Sequence, residues 1–484
     1  MTISEPVTHL RHRRTRIVAT LGPASQEVET VRDLIRAGVD TFRLNLSHGT
    51  HADHEEAFHR VRDAATELGA SVGVLADLCG PKIRVGSFPD GGIDLPANGR
   101  ITLTTRNVEG APGLVPSGYR ELADDVEPGD RILLDDGRLE LEVEELEGTE
   151  ITCRVVRGGR LKTRKGMNLP GVRISAPALT EQDRDDARFA AGLGVDYVAL
   201  SFVRRPADVH ELRTLLGEAG SGARIVSKIE KPEALREIDG ILAASDALMV
   251  ARGDLGVELP PEEVPVAQVQ LMEMARRAGK PVIVATQMLE SMMTDSRPTR
   301  AEVSDVGGAV MSGTDAVMLS GETAAGAHPV EAVRIMDRVC REVEGYLWER
   351  GGFGSLTSEP GPERPTRIED AVSRSISQLS RDLMVRAVVV LDADGRTAAK
   401  VSAGRPQAPI LVGSSVPELL RSLSLLWGVV ATRIHEGDER DGTLARRVAV
   451  EGELAGPGDH ILEVRGFHPD PALEMPSVKV IRVC

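Results

Sequence analysis

The sequence predicts an α/β protein: a (β/α)8 barrel of the TIM type, interrupted by an inserted all-β lid domain and followed by a C-terminal α/β domain. Three observations carry this. Short β-branched runs alternate with helical segments that end in Gly, as in parallel strands joined by crossover helices. The runs number eight, the count that closes a barrel. The spacing breaks once, after the third run, where a stretch of different pattern intervenes.

Taken in order, residues 1–13 form an N-terminal arm, and its basic stretch Arg11-His12-Arg13-Arg14 is expected to be solvated. The first strand follows at Ile17-Val18-Ala19, then a helix with Val28, Val31, Leu34 and Ile35 on one face. Gly38, Gly69, Gly194, Gly279 and Gly313 precede the runs Thr41–Leu44, Val72–Leu75, Tyr197–Leu200, Val282–Ala285 and Ala316–Leu319. A Gly there supplies the left-handed cap that ends a helix. Ile225–Ser227 and Leu248–Val250 complete the eight, placing the barrel at 14–85 and 175–350. Between them, 86–174 carries the alternating runs Ile101–Thr104, Arg131–Leu134, Leu139–Val143 and Ile151–Val155, with Asp135-Asp136-Gly137 as a turn. This is expected to be a β-barrel lid. Residues 351 to about 365 hold four Gly and three Pro and read as a linker. A helix at about 366–382 and the strand Ala387–Leu391 open the third domain, 366–484.

Composition sets bounds. A chain of 484 residues suits roughly three domains. Aromatics are only 2%, so the core is built from Val, Leu, Ile and Ala, as suits a sheet buried on both faces. A net charge of −16 argues against nucleic acid or an anionic membrane as partner, yet leaves room for a local basic site. Cys79, Cys153, Cys340 and Cys484 form no Cys-x-x-Cys pair, so neither a disulfide framework nor a zinc site is signalled. No signal core or membrane-length run is present, and a cytoplasmic location is expected.

In a (β/α)8 barrel the chemistry sits at the carboxyl ends of the strands. Those ends carry Thr20; Arg43, Asn45, Ser47 and His48; Asp77, with Lys82 and Arg84 beyond; Ser201; Lys228 and Glu230; Arg252, Gly253 and Asp254; Thr286; and Ser320. Strand residues two apart share a face, which pairs Arg43 with Asn45, Lys228 with Glu230 and Arg252 with Asp254. The mouth thus gathers Arg43, Arg84 and Lys228 beside Asp77, Glu230 and Asp254. Cations suit phosphate oxygens, and two carboxylates suit a Mg²⁺ that keeps several waters. The inventory points to metal-assisted phosphoryl transfer, where positioning and charge neutralisation do most of the work. Structural ion pairing explains any one pair as well, but not charged or polar groups at nearly every strand end.

At these residues the chain resembles pyruvate kinase. The resemblance rests on Arg16–Ser25, Arg43–Gly49, Met249–Gly256, Ala285–Ser291, Leu319–Thr323 and the stretch around Lys228–Pro232. It implies transfer of the phosphoryl group of phosphoenolpyruvate to ADP, giving ATP and the enol of pyruvate. It also implies roles. Lys228 lies against the transferring phosphoryl group and the enolate oxygen. Glu230 and Asp254 bind Mg²⁺ (or Mn²⁺). Arg43 binds phosphate, with Arg84 also in the catalytic set. The Gly253–Asp254 backbone and the Thr286 hydroxyl hold the substrate carboxylate, and Thr286 and Ser320 flank the proton path. The β domain closes as a lid, and the family implies a homotetramer.

The chain departs from the family pattern in two places. The monovalent-cation positions resemble Asn45, Ser47, Asp77 and the residue after Asp77, often Thr and here Leu78. The following motif is Gly80-Pro-Lys-Ile-Arg84, with Lys82 where Glu is common. The Lys82 ammonium stands in for K⁺ in this reading, and no K⁺ requirement is expected. In the C-terminal domain, the place of a sugar-bisphosphate loop reads Asp392-Ala393-Asp394-Gly395-Arg396-Thr397. Two carboxylates repel phosphate, which argues against fructose 1,6-bisphosphate and leaves AMP or a sugar monophosphate as allosteric effectors to test. Arg405 looks retained without an evident role. His48 is read as the end of a strand motif and His51, His54 and His59 as the start of a helix rather than a metal cluster, and Cys79 as a bystander. From another functional class, a catalytically retired paralogue that only binds metabolites is the alternative.

Overall fold

The computed structural model describes residues 12–353, 366–391, 394–438, 441–468, 470 and 475–484. Most of the N-terminal arm, most of the Gly/Pro linker, and Asp392 and Ala393 lie outside the described residues. Eight parallel strands close a barrel: Arg16–Thr20, Thr41–Asn45, Gly73–Asp77, Tyr197–Leu200, Arg224–Ile229, Ala247–Ala251, Val282–Ala285 and Ala316–Leu319. The ring shuts where the first strand pairs with the eighth, Arg16 opposite Ala316. Gly38 and Gly279 end their helices at φ 115° and 71°, where a side chain is strained. Apolar residues packed against the helices form the largest core, and Val18, Leu75, Tyr197, Val226, Met249, Ile283 and Met318 fill the barrel interior.

Between the third and fourth barrel strands, the insert forms a six-stranded sheet and a separate two-stranded ribbon, Gly92–Leu95 with Gly159–Lys162. The ribbon pairs only with itself, so these sheets do not join into one closed ring of the kind expected from the pattern. A core of its own, including Leu103, Ile132, Leu141 and Val155, supports the insert. Leu134 pairs with Leu139 across the turn Asp135-Asp136-Gly137, whose φ values are 52°, 56° and 79°. Three successive left-handed residues match the twist a tight hairpin requires.

The C-terminal domain is a five-stranded sheet ordered Val429–Arg433, Ile410–Ser414, Ala387–Val390, His460–Arg465, Ser477–Arg482, the last strand antiparallel. It seals the floor of the barrel. Leu425 enters the interior cluster and is fully buried. Tyr197 Oη donates to the Ser422 carbonyl at 2.5 Å, and the hydroxyls of Thr41 and Ser424 meet at 2.7 Å. Arg405, without a role from the sequence, is buried here and donates to Asp315 at 2.8 Å and to the Gly313 carbonyl at 2.9 Å.

One expectation is overturned at the chain's start. Arg13 and Arg14 are buried, not solvated. Arg13 pairs with Asp337 at 2.9 Å and Asp40 at 3.0 Å, and the Arg14 and Thr15 amides donate to Glu344 at 2.8 and 2.7 Å. Burial pulls the Arg14 guanidinium down to about 10. These partners lie far along the chain, so the local run of charge gave no sign of them.

Candidate active site

The second, third, fourth and fifth strands end side by side, and side chains at their ends form one buried charged group. Arg43 Nε donates to Asp77 Oδ2 at 2.6 Å and Nη1 donates to Thr20 Oγ1 at 3.2 Å. Lys228 Nζ lies 3.4 Å from Asp77 Oδ1 and 3.1 Å from Glu230 Oε1, and donates to Ser201 Oγ at 2.7 Å. Ser201 donates to the Leu78 carbonyl at 2.7 Å. Burial works against the Lys228 ammonium, but Asp77 and then Glu230 outweigh it and raise its pKa. Burial likewise opposes the Asp77 carboxylate, yet Lys228 and Arg43 hold its pKa below the usual range. For Glu230 burial wins: Lys228 pulls the pKa down, Asp254 adds to the upward push, and the net shift is upward. A buried carboxyl that feels a second carboxylate is a place that a divalent cation would relieve, so Glu230 and Asp254 fit a Mg²⁺ that keeps its other positions for water and substrate.

The sixth and seventh strands supply the other wall. Strand six ends at Ala251, and Arg252 begins the helix Arg252–Glu258. The same-face pairing of Arg252 with Asp254 therefore does not hold, because the two-residue period stops at the strand end. The Gly253 amide donates to Thr286 Oγ1 at 2.7 Å, and that hydroxyl donates to the Ala285 carbonyl at 2.7 Å. The wall faces a cavity of about 740 Å³ lined by Lys82, Gly253, Asp254, Thr286 and Ser320 and, from the insert, Asp136. Glu322 fixes the eighth strand end by accepting from the Ser320 amide at 2.8 Å and the Leu289 amide at 3.0 Å.

Comparison with known proteins decides what this mouth belongs to. The pyruvate kinase barrel-domain family model matches residues 12–333, and the pyruvate kinase alpha/beta-domain model matches 370–481. The chain belongs to the pyruvate kinase family. It is 46% identical to a pyruvate kinase of Corynebacterium glutamicum over 461 residues, covering 94% of this chain and 95% of that one. It is 45% identical to pyruvate kinase 2 of Synechocystis over 460 residues, covering 94% of this chain and 76% of the relative. A crystal structure of a pyruvate kinase from Cryptosporidium parvum superposes with a TM-score of 0.90 at 35% identity, covering 99% of this chain and 98% of that one. As a pyruvate kinase homologue over most of its length, the chain is a phosphotransferase.

Within this pyruvate kinase mouth, Arg43, Asp77, Lys228 and Glu230 come together in one connected group, while Gly253, Asp254, Thr286 and Ser320 line the cavity. Arg84 does not line that cavity. It lies exposed on a separate cleft between insert and barrel, its Nη1 donating to the Arg164 carbonyl at 3.2 Å. Lys82 is exposed on the rim and lines the cavity, whereas Asn45 and Ser47 are not among its lining residues. Asn45 Oδ1 accepts from the Ser47 amide at 3.3 Å, and Leu78 is buried. His51 pairs with Asp186 at 2.7 Å and stacks on Phe189, while the His54 ring meets the His48 carbonyl at 2.7 Å. Cys79 is a half-buried free thiol. In the C-terminal domain, Asp394 Oδ1 accepts from the Arg396 amide at 2.9 Å at the head of a helix. Sequence reasoning missed two things: Ser201, a strand-end residue given no role, orients Lys228, and Arg252 crosses to the neighbouring loop.

Proposed function

We propose that the enzyme transfers the phosphoryl group of phosphoenolpyruvate to ADP, giving pyruvate and ATP in glycolysis. The observation that carries the proposal is Lys228, an ammonium kept charged by Asp77 and Glu230 and aimed by Ser201 beside a cavity walled by Thr286 and Asp254. Arg43, braced by Asp77 and Thr20, binds the phosphoryl oxygens. Lys228 lies against the transferring group and the enolate oxygen, stabilising charge as it develops. The Gly253–Asp254 amides and the Thr286 hydroxyl bind the substrate carboxylate. Thr286 and Ser320 flank the path by which the enol gains its proton. Mg²⁺ or Mn²⁺, held by Glu230 and Asp254, supplies charge neutralisation when bound. The insert, whose Asp136 already reaches the cavity, closes as a lid and excludes water. Arg84 joins the catalytic set on lid closure.

The reading extends to a cytoplasmic homotetramer that needs no K⁺, and no helix among the described residues is long and apolar enough to cross a membrane. The Lys82 ammonium on the cavity rim supports K⁺ independence. The retired-paralogue alternative is not favoured, because Arg43, Asp77, Lys228 and Glu230 are all present and joined in one network, with Asp254 and Thr286 beside them on the cavity wall. The test is pyruvate formation from phosphoenolpyruvate and ADP with Mg²⁺, with and without K⁺. Equal rates are expected, with Lys228→Met inactive but folded and Lys82→Glu dependent on K⁺. A K⁺ requirement in the unaltered enzyme overturns the Lys82 assignment alone. Turnover by Lys228→Met overturns the mechanism.

A further inference from the structure

Arg252 lies at the start of its helix and reaches sideways into the loop that follows the seventh strand. Its Nη2 donates to the Thr286 carbonyl at 2.8 Å and its Nε to the Ala285 carbonyl at 3.3 Å. Nη1 pairs with Asp305 at 2.7 Å, and Nη2 also meets Met288 Sδ at 2.7 Å. The side chain is only 14% exposed. The loop it grips is strained: Thr286 has φ 72° and Gln287 φ 54°, left-handed values that a β-branched residue strongly disfavours. Such a backbone persists only where its surroundings over-determine it. Here the guanidinium fork ties down the carbonyls on either side of the Ala285–Thr286 link. In return the Gly253 amide, the next residue after Arg252, binds the Thr286 hydroxyl at 2.7 Å. The segments after strands six and seven are thus stitched together twice, by a side chain and by a backbone amide of neighbouring residues.

We infer that Arg252 is a positioning residue, a clamp that holds the Thr286 hydroxyl and the Gly253 amide in mutual register for the substrate carboxylate. The inference rests on the function proposed above. Its content goes beyond that function: the family of contacts at the mouth needs a group that never touches the reacting atoms but fixes the one strained backbone turn among them. A planar fork is required, because a point charge cannot hold two carbonyls and a carboxylate in one plane. Asp305 neutralises and anchors the far edge of the fork.

The test compares Arg252→Lys, Arg252→Ala and Asp305→Asn with the unaltered enzyme. For Arg252→Lys, kcat/KM for phosphoenolpyruvate is expected to fall about 100-fold, the scale of a small misplacement of a binding group. KM for ADP is expected to stay within about twofold, because the clamp is inferred to set only the site for the phosphoenolpyruvate carboxylate. Exchange of the pyruvate methyl protons with D2O, a readout of the proton path that Thr286 and Ser320 flank, falls in parallel. Added guanidinium ion restores part of the Arg252→Ala rate, which a merely structural loss would not allow. Asp305 is partly exposed, so Asp305→Asn keeps the fold and shows the same pattern at roughly fivefold. Variants as active as the unaltered enzyme overturn the inference. So do losses in which both substrates' parameters and the melting temperature fall together. An unaltered enzyme inactive in both assays overturns instead the function on which the inference rests.

Discussion

Asp77→Asn is the sharpest test of the electrostatics at the mouth. Asp77 is 1% exposed and binds Arg43 through one oxygen at 2.6 Å, while Lys228 lies 3.4 Å from the other. The substitution keeps volume and removes one negative charge, leaving Lys228 with Glu230 as its remaining paired carboxylate and Arg43, among the described residues, with none. Breaking a buried pair this way costs about 3–5 kcal/mol. The sign with pH follows from the depressed Asp77 pKa. The Asp77 contribution is complete above its unfolded value of about 3.9 and fades as pH falls through the lower folded value. Far-UV circular dichroism in denaturant should therefore show the full deficit at pH 7 and convergence of the two proteins only in strong acid, well below pH 4. Activity moves as well. Asp77 is the largest influence raising the Lys228 pKa, so its loss lowers that pKa. The unaltered enzyme should keep its rate across the alkaline range, while Asp77→Asn declines as pH rises. A deficit under about 1 kcal/mol, or matching alkaline profiles, would refute the claim that Asp77 holds both cations.

Other predictions follow from contacts between domains and from burial. Leu425→Ala should cost about 2–5 kcal/mol by opening a cavity in the barrel floor, with faster hydrogen exchange in Arg16–Thr20; slow exchange unchanged there would show that the floor is not sealed by Leu425. Asn168 donates from the insert to Glu258 at 3.0 Å, so Asn168→Ala should free the lid and raise proteolysis near residues 166–172, and an unchanged cleavage rate would remove this contact as a latch. Of the four cysteines only Cys79 and Cys484 should react with an alkylating reagent in the native state, because Cys153 and Cys340 are buried and burial pushes the Cys153 thiol up to about 12; fast labelling of Cys153 would contradict the packing of the insert.

What could be seen in the sequence was what topology alone locates. Eight β-branched runs placed the barrel, and the rule that chemistry gathers at strand ends then named Arg43, Asp77, Lys228, Glu230, Asp254 and Thr286 without further help. The period-2 rule worked for Lys228 and Glu230, which meet at 3.1 Å, because the strand runs to Ile229. The same rule failed one strand later, where the chain turns into a helix at Arg252 and the side chain swings to the neighbouring loop. The groups that hold the mouth in place were hidden for a common reason. Ser201 finds Lys228, Arg252 finds Asp305, Arg405 finds Asp315 and Arg14 finds Glu344 across separations of 27 to 330 residues. No local periodicity encodes such a pairing. A run such as Arg11–Arg14 therefore looks like a solvated arm until the fold brings carboxylates to it. Residues that touch substrate are fixed by where strands end, whereas residues that aim them are fixed by which segments become neighbours. Substitutions of the second kind should misplace the chemistry while leaving every catalytic group present, which is the pattern expected of Arg252→Lys.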